Sequence, residues 1–493
     1  MSLTSIDAVG KPRANESSLA AVPAWAWFGA AAFVLLVIGG NRLLYDADTY
    51  WQIEVGQWIL DHRAWPHTDI YSFTKAGEPW ISTSWLAQVI FTISYNVAGW
   101  AGPVWASALA IAAAFALFVH LLCKWLAPRH AVLIALAAVL MSMGHFLARP
   151  HVLVLPVMLA WASGLAAAAD ARRAPSMMWL PLMVLWANLH GSFVFGVALV
   201  GPFALIAMWE AEASARRVLF VRWFAFGLAT LAAACLTPYG WNSILAARKI
   251  LDLGDAMALI PEWQPANFAK PEFFEIAVMV CIGGLLARGL TLSWPRVLLV
   301  LGLLFMALSH SRSFEIFALL TPLVVAKPLA AQWRLASLER QANAAFAGIA
   351  ALAAVVVVAC AVFTAMHPFT FYQKFTPVAA VEALKAQHPR RVLNTAGLGG
   401  YLITQRIPVF IDGRAELYGA QYVVDTLNAF ALKDVDLFLN LLKTNDIDAT
   451  LLTSNTPAVK LLDHLPGWKR VYADDRAVVH VRTAITAKTE SLH

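Results

Sequence analysis

Residues 23–51 read PAWAWFGAAAFVLLVIGGNRLLYDADTYW. From Pro23 to Leu44 the stretch is apolar except for Asn41 and Arg42, long enough to cross the roughly 30 Å core of a bilayer as a helix. After Tyr45 it breaks into Asp46-Ala-Asp48-Thr-Tyr-Trp51, two carboxylates beside two aromatic rings at the edge of a membrane. No Ala-x-Ala cleavage pattern follows, so the stretch reads as a retained anchor rather than a removed signal peptide. Ahead of it, residues 1–22 are mostly polar and carry Lys11 and Arg13, which reads as a cytoplasmic tail.

Moving outward, the same apolar composition continues. Of the 493 residues 60% are hydrophobic and 13% charged, against roughly 25% charged in a soluble domain. The charge is uneven: 26 of the 127 residues in 367–493 are charged, but only 40 of the first 366. This excludes a single soluble globular enzyme, a disordered chain and a disulfide-rich secreted scaffold. Cys123, Cys235, Cys281 and Cys360 lie within or beside apolar stretches, which leaves no disulfide framework and no CxxC motif. Despite a net charge of +6, no basic arm or basic–aromatic interleaving points to nucleic acid. The expected fold class is a polytopic α-helical membrane protein of about 11 transmembrane helices, residues 23–366, with a small C-terminal α/β domain at 367–493. The ten later spans are expected at 101–123, 131–148, 152–169, 177–190, 193–211, 219–237, 273–287, 297–310, 313–327 and 344–366.

Lys/Arg bias orients them. With the N-terminus cytoplasmic, the inner loops carry Lys124 and Arg129; Arg172 and Arg173; Arg216, Arg217 and Arg222; Arg288 and Arg296; and Lys327, Arg334 and Arg340. Eleven spans then place the C-terminal domain on the outer face, the periplasm of a bacterium whose inner membrane holds the chain. The outer face receives two long loops, 45–100 and 238–272, and three tight turns. Tyr50–Leu60 and Trp85–Val97 read as amphipathic pieces along the interface, and eight tryptophans from Trp51 to Trp263 form an aromatic belt there.

On that face gather the polar residues a membrane disfavours: Asp46 and Asp48; His67, Thr68 and Asp69; Arg149-Pro150-His151; Asn188-Leu-His190-Gly191; Tyr239; Glu262 and Trp263; and His310, Arg312 and Glu315. Arg149 and Arg312 break the positive-inside pattern at short turns, and ionisable groups at that depth mark a functional site by default. Each also has a plainer reading. Asp48 is placed to N-cap the helix that begins at Thr49, His190-Gly191 to end a helix, and Arg149 to snorkel to headgroups. His120 and His145 read as packed or interfacial.

The Asp46-Ala-Asp48-Thr-Tyr-Trp51 opening, Thr68-Asp69, Arg149-Pro150-His151 and Trp186-Ala-Asn188-Leu-His190-Gly191 together resemble the GT-C superfamily of membrane glycosyltransferases. Pro238-Tyr239-Gly240, Glu262-Trp263-Gln264-Pro265 and Phe410-Ile-Asp412-Gly413-Arg414 extend the resemblance over nearly the whole chain, toward a bacterial polytopic family of that superfamily. The chain departs from it at one place: related sequences commonly carry His-Glu-Trp where Thr83-Ser84-Trp85 stands, which removes a His/Glu pair. The resemblance implies a sugar donor linked to polyprenyl phosphate.

Such a transfer needs a base for the acceptor hydroxyl and positive charge for the leaving phosphate. Asp46, Asp48 and Asp69 are the candidate catalytic carboxylates, with Asp46 favoured as base and Asp48 as its partner. Arg149 and Arg312 have the fork geometry for phosphate oxygens, with His151 and His190 beside them. Tyr50, Trp51, His67, Asn188, Tyr239, Glu262, Trp263, His310 and Glu315 are expected to line the substrate. Asp46 and Asp48, two residues apart, also have the spacing to share a divalent cation, Mg or Mn, the one cofactor the sequence allows for. Nucleotide sugars are cytoplasmic and the constellation is external, so the expected partners are a polyprenyl-phosphate-linked sugar, membrane lipids and an envelope acceptor. The expected function is therefore an inverting glycosyltransferase; the alternative is a non-catalytic lipid-carrier-binding or glycan-assembly subunit with the same fold. A transporter is disfavoured by the lack of an internal repeat. In the C-terminal domain strands are expected at 391–394, 409–412, 449–453, 469–473 and 477–481, and helices at 378–387, 421–430, 434–444 and 457–464. Gly397-Leu-Gly399-Gly400 resembles a phosphate loop but reads more simply as a tight turn, and Asp412-Gly413-Arg414 as a docking element or acceptor contact.

Overall fold

The structure, a computed structural model, describes residues 22–251, 254, 261–336 and 346–483. The tail expected at 1–22 lies, but for Val22, outside the described residues, as do Arg340 and the first two residues of the last expected span. Each of the eleven apolar stretches holds a helix. Among the described residues seven helices are long and apolar enough to cross a membrane: Ala101–Leu122, Pro128–His145, Pro150–Asp170, Phe193–Glu210, Ala213–Ala234, Ser311–Trp333 and Phe346–Met366. Ala24–Ile38, Met177–Leu189 and Trp294–Ser309 are apolar but shorter, and Phe273–Arg288 fills the remaining stretch.

The bundle closes around large side chains. Phe115, Phe118, Trp161, Trp186, Phe193 and Phe226 are all fully buried. One charged knot ties helix ends together: Arg296 reaches Glu210 at 2.8 Å, Asp170, and the Val324 carbonyl at 2.9 Å. Asp170 ends the helix that begins just after Arg149, so this knot and the polar cluster lie at opposite ends of one helix.

The first outer loop folds into two helices, Asp48–His62 and Trp85–Ala98. Their close packing follows from Gly56, where a Cβ would overlap Thr92 and the Gln88 carbonyl. The second, expected along the interface, packs on both Asp48–His62 and the bundle helix Ala101–Leu122.

The C-terminal chain forms a four-stranded sheet of order β1-β2-β4-β3, with β1 Val392–Asn394, β2 Ala449–Thr453, β3 Trp468–Ala473 and β4 Ala477–Arg482. β1 and β2 are parallel; the other pairs are antiparallel. Two expectations fail here. Val409–Asp412 is not a strand: Val409 makes only isolated bridges to Ser72 and Val392, while the Asn394 side chain holds the Phe410 N–H and the Ile411 carbonyl. Gly397-Leu-Gly399-Gly400 is not a turn but the start of the helix Ala396–Thr404. Its glycines serve close approach, because a Cβ on Gly399 would press on the Ile411 carbonyl and one on Gly400 on the Ala47 carbonyl. Trp51, Val55, Ile59 and Trp80 of the first outer loop complete the core of this α/β unit, so its hydrophobic core draws on both ends of the sequence.

The Asp412-Gly413-Arg414 segment does dock, and it docks on the first outer loop. Arg414, with no exposed surface, pairs with Asp69 and Asp412 at 2.6 Å each. Backbone bonds run between Val409 and both Tyr71 and Phe73, and the Thr74 hydroxyl donates to the Phe410 carbonyl.

Candidate functional site

Asp46 accepts the backbone N–H of Asp48 at 2.8 Å and so organises the start of the helix Asp48–His62. Asp48 is the first residue of the helix and does not cap it; Ala47 stands at the N-cap, and the Asp48 side chain is turned elsewhere. Its Oδ1 accepts from Trp51 Nε1 at 3.0 Å and its Oδ2 from Arg149 Nη2 at 2.6 Å. Arg149 precedes Pro150, which starts its helix. Pro150 restricts the residue before it to extended backbone, which sends the guanidinium sideways rather than along the helix. There it is enclosed by three carboxylates: Asp46 at 3.1 Å, Asp48 and Glu262.

Glu262 bridges two arginines, since its other oxygen takes Arg312 Nη1 at 3.3 Å. Arg312 also lies over the Trp263 ring, 5.3 Å from its centre. Its side chain is 35% exposed against 17% for Arg149. Among the described residues Arg149 is therefore enclosed by three ion pairs, whereas the more exposed Arg312 makes one, to Glu262.

Burial shapes the charges. Desolvation pushes the Asp48 carboxyl up to about 7, outweighing the pull of Arg149, and the negative charge of Asp46 adds to the rise. Burial acts the same way on Glu262, but Arg149 and Arg312 overcome it and hold that carboxyl at about 2. Burial opposes the Arg149 charge, yet Asp46, Glu262 and Asp48 together raise its pKa above the ordinary value. The site thus holds one carboxyl poised near neutrality beside one that stays charged.

These groups open on a cleft of about 360 Å³ between the bundle and the α/β unit. Of the expected residues, Asp48, Trp51, Arg149, His151, His190, Glu262, Trp263 and Arg312 line it, and Asp46 supports it from behind. His151 and His190 face each other, ring centres 6.4 Å apart, with His190 Nδ1 bonded to the Ser192 hydroxyl at 2.9 Å.

The remaining candidates are placed elsewhere. Asp69 is fully buried with Arg414 and bonds Ser72, so it serves docking rather than the cleft. Tyr50 packs among Trp100, Phe371 and Tyr401. His67 stacks edge-on against Tyr239, whose hydroxyl donates to the Pro66 carbonyl. Asn188 accepts from Trp85 Nε1 and donates to the Val184 and Leu236 carbonyls. His310 is turned onto the Trp263 carbonyl, and Glu315 is buried in its helix.

Three of the lining residues carry no signal in the sequence. Ser82, Gln88 and Gln52 form a buried ladder of neutral groups, at 2.7 and 2.8 Å. Asp412, Gly413 and Glu416 reach the cleft from the α/β unit; burial pushes the Glu416 carboxyl up, and Trp80 Nε1 donates to it at 3.3 Å. Thr83 and Ser84, where the resemblance calls for His and Glu, line the same cleft.

The carboxylates do not fit a divalent cation in this arrangement. Among the described residues no three His, Cys, Asp or Glu side chains gather as a metal site. All four oxygens of Asp46 and Asp48 are turned onto Arg149, Trp51 and a backbone N–H, so the guanidinium stands where a cation would.

No family model matches the chain, and no curated protein matches it. Solved structures do. The archaeal oligosaccharyltransferase AglB from Archaeoglobus fulgidus, in complex with an inhibitory peptide and a dolichol-phosphate, superposes with a TM-score of 0.53 over 87% of this chain and 69% of its own, at 11% identity. The chain shares the fold of this oligosaccharyltransferase. ArnT from Cupriavidus metallidurans in the apo state matches over 92% of this chain and 97% of its own at 16% identity, with a TM-score of 0.49. At these identities what the chain shares with AglB is its architecture.

Proposed function

We propose that this GT-C protein is an inverting glycosyltransferase that moves a sugar from a polyprenyl-phosphate donor to an envelope acceptor at the periplasmic face of the inner membrane. The observation that carries this reading is the division of labour around the cleft: a carboxyl near neutral pKa at Asp48, and a more exposed arginine at Arg312. Asp48 takes the proton of the acceptor hydroxyl as its oxygen bonds the anomeric carbon; the carbon–oxygen bond to phosphate breaks, and polyprenyl phosphate leaves toward Arg312. Asp48 replaces Asp46 as the base because it lines the cleft, whereas Asp46 is spent on the helix start and Arg149. Arg149 becomes a positioning residue that fixes Asp46, Asp48 and Glu262. No step passes through a divalent cation.

The Lys/Arg bias of the alternate short loops supports the periplasmic assignment of the cleft and the α/β unit. AglB, whose fold the chain shares, is in complex with a dolichol-phosphate, which agrees with a lipid-phosphate donor here. A second reading, the non-catalytic carrier-binding or assembly subunit, draws on Thr83 and Ser84, which put two neutral side chains in the cleft where the resemblance calls for ionisable ones. Purified protein incubated with radiolabelled polyprenyl-phosphate sugars and an envelope lipid extract tests the proposal. Label transferred to an acceptor supports it; donor retained without transfer to any acceptor favours the second reading.

A further inference from the structure

Beside the main cleft lies a second cavity of about 490 Å³, wholly within the C-terminal chain. The two share Ala396, Ile411 and Leu427 on their walls, so they adjoin. The cavity sits where β1 and β2 run parallel and end, with their following loops side by side, the edge of an α/β sheet where ligands bind.

Its chemistry is one-sided. Among the lining residues no carboxylate appears, and the single charged group is Lys374, which is exposed and forms no ion pair among the described residues. The helix Ala396–Thr404 points its N-terminus into the cavity, and among the described residues no backbone partner takes the N–H groups of Ala396 or Gly397. Thr395 stands at the N-cap but makes no capping bond, and its buried hydroxyl has no partner among the described residues. Independently of that helix, Thr426 reaches the cavity from the helix Ala420–Phe430. It is 2% exposed, and its hydroxyl bonds nothing among the described residues. Thr453, Asn455 and Thr456 add polar edges, while Phe375 and Phe430 supply flat apolar faces. Unsatisfied donors around a helix N-terminus, with a lysine and no carboxylate, bind phosphate; aromatic faces beside them suit a sugar ring.

We propose that this cavity, walled by Lys374, Thr395, Ala396, Gly397 and Thr426, binds the phosphate of a phosphorylated saccharide and so holds the acceptor beside the main cleft. The acceptor assignment rests on the glycosyltransferase reading above; the phosphate site does not.

The test uses the full-length protein in detergent and two soluble probes, glucose 1-phosphate and methyl glucoside, titrated by saturation-transfer NMR. Glucose 1-phosphate binds and methyl glucoside does not. Lys374→Ala weakens binding by about tenfold, the weight of one charge-assisted hydrogen bond, and Thr426→Val, which keeps the side-chain shape, by about fivefold. Arg312→Ala, which removes any sugar phosphate held in the main cleft, leaves the Lys374-dependent binding in place. Equal binding of both probes, or binding lost in Arg312→Ala and kept in Lys374→Ala, overturns the site. In a second arm the protein sits in nanodiscs: displacement of the probe by phosphatidate bilayers, but not by phosphatidylcholine, identifies a lipid headgroup and overturns the acceptor assignment. Binding without any sugar transfer sinks the enzyme reading and leaves the phosphate site standing.

Discussion

Gly413→Ala tests whether the α/β unit sets the geometry of the base. Gly413 does not have a positive φ, so the backbone accepts alanine, and the only consequence is the added methyl. That Cβ would overlap Asp48 Oδ1 and lie 2.7 Å from its Cγ and 3.1 Å from Oδ2. A free carboxylate would swing aside, but this one is pinned by Trp51 at 3.0 Å and Arg149 at 2.6 Å. Yielding to the methyl therefore breaks one of two bonds, and a hydrogen bond involving charged groups is worth about 1.5–3 kcal/mol. A displacement of about 1 Å at a reacting group costs roughly 10²-fold in rate. Gly413→Ala should lower kcat by about 10²-fold and Tm by only about a few degrees, since the lost bond is a small part of the stability of a chain this size. Gly201, where a Cβ meets nothing within 4 Å, supplies the control: Gly201→Ala keeps full turnover. The assay is transfer of radiolabelled sugar alongside thermal unfolding followed by circular dichroism. Wild-type kcat in Gly413→Ala would refute the reasoning, because either Asp48 does no chemistry or the α/β unit does not constrain it.

Asp48→Asn should reduce turnover by about 10²-fold or more. With its carboxyl at about 7, Asp48 is protonated and inactive as a base below that pH, so wild-type turnover rises with pH through about 7 and the Asn variant lacks this limb in a pH–rate profile. Arg312→Lys should weaken donor affinity by about tenfold despite the retained charge, because the planar fork is lost; equal dissociation constants in equilibrium binding would leave Arg312 as an interfacial anchor. Arg414→Met strands Asp69 and Asp412 in the core, a loss of about 3–5 kcal/mol, and should expose the α/β unit to limited proteolysis; resistance equal to wild type would contradict the docking role. Cysteines placed at Glu78 and Lys443 should label from outside in intact spheroplasts and one at Arg217 only after permeabilisation, whereas the reverse pattern would invert the orientation and remove the donor argument.

Much of the architecture is written in local pattern. Apolar stretches such as Ala101–Leu122 declare helices by length and composition, because a bilayer leaves few other ways to satisfy the backbone. The convergence of Asp48, Arg149, His151, His190, Glu262 and Arg312 is also legible, since each breaks an apolar pattern at a turn on the same face. What stays hidden depends on pairing across long distances. Asp46 and Asp48 look equivalent in sequence; the Asp48 N–H bound by Asp46 separates their roles. Asp69 looks as reactive as either until Arg414, 345 residues later, is seen beside it. Arg149 reads as a phosphate clamp because nothing local shows that three carboxylates already hold it. Gly397-Leu-Gly399-Gly400 reads as a turn because glycine usually marks one, yet here it lets a helix approach the Ala47 carbonyl. The ladder of Ser82, Gln88 and Gln52 is invisible for another reason: neutral polar residues in amphipathic segments are ordinarily solvent-facing.

The central claim is that the cleft consumes a lipid-phosphate sugar rather than merely holding it. A single-turnover chase decides this: wild-type protein is saturated with radiolabelled polyprenyl-phosphate sugar, acceptor extract is added, and the bound lipid is recovered and analysed. The account predicts that bound donor becomes free polyprenyl phosphate in step with labelled acceptor in the wild type, and stays intact in Asp48→Asn, which binds it equally well. Donor recovered unchanged from the wild type, or converted equally fast by the Asn variant, would contradict it.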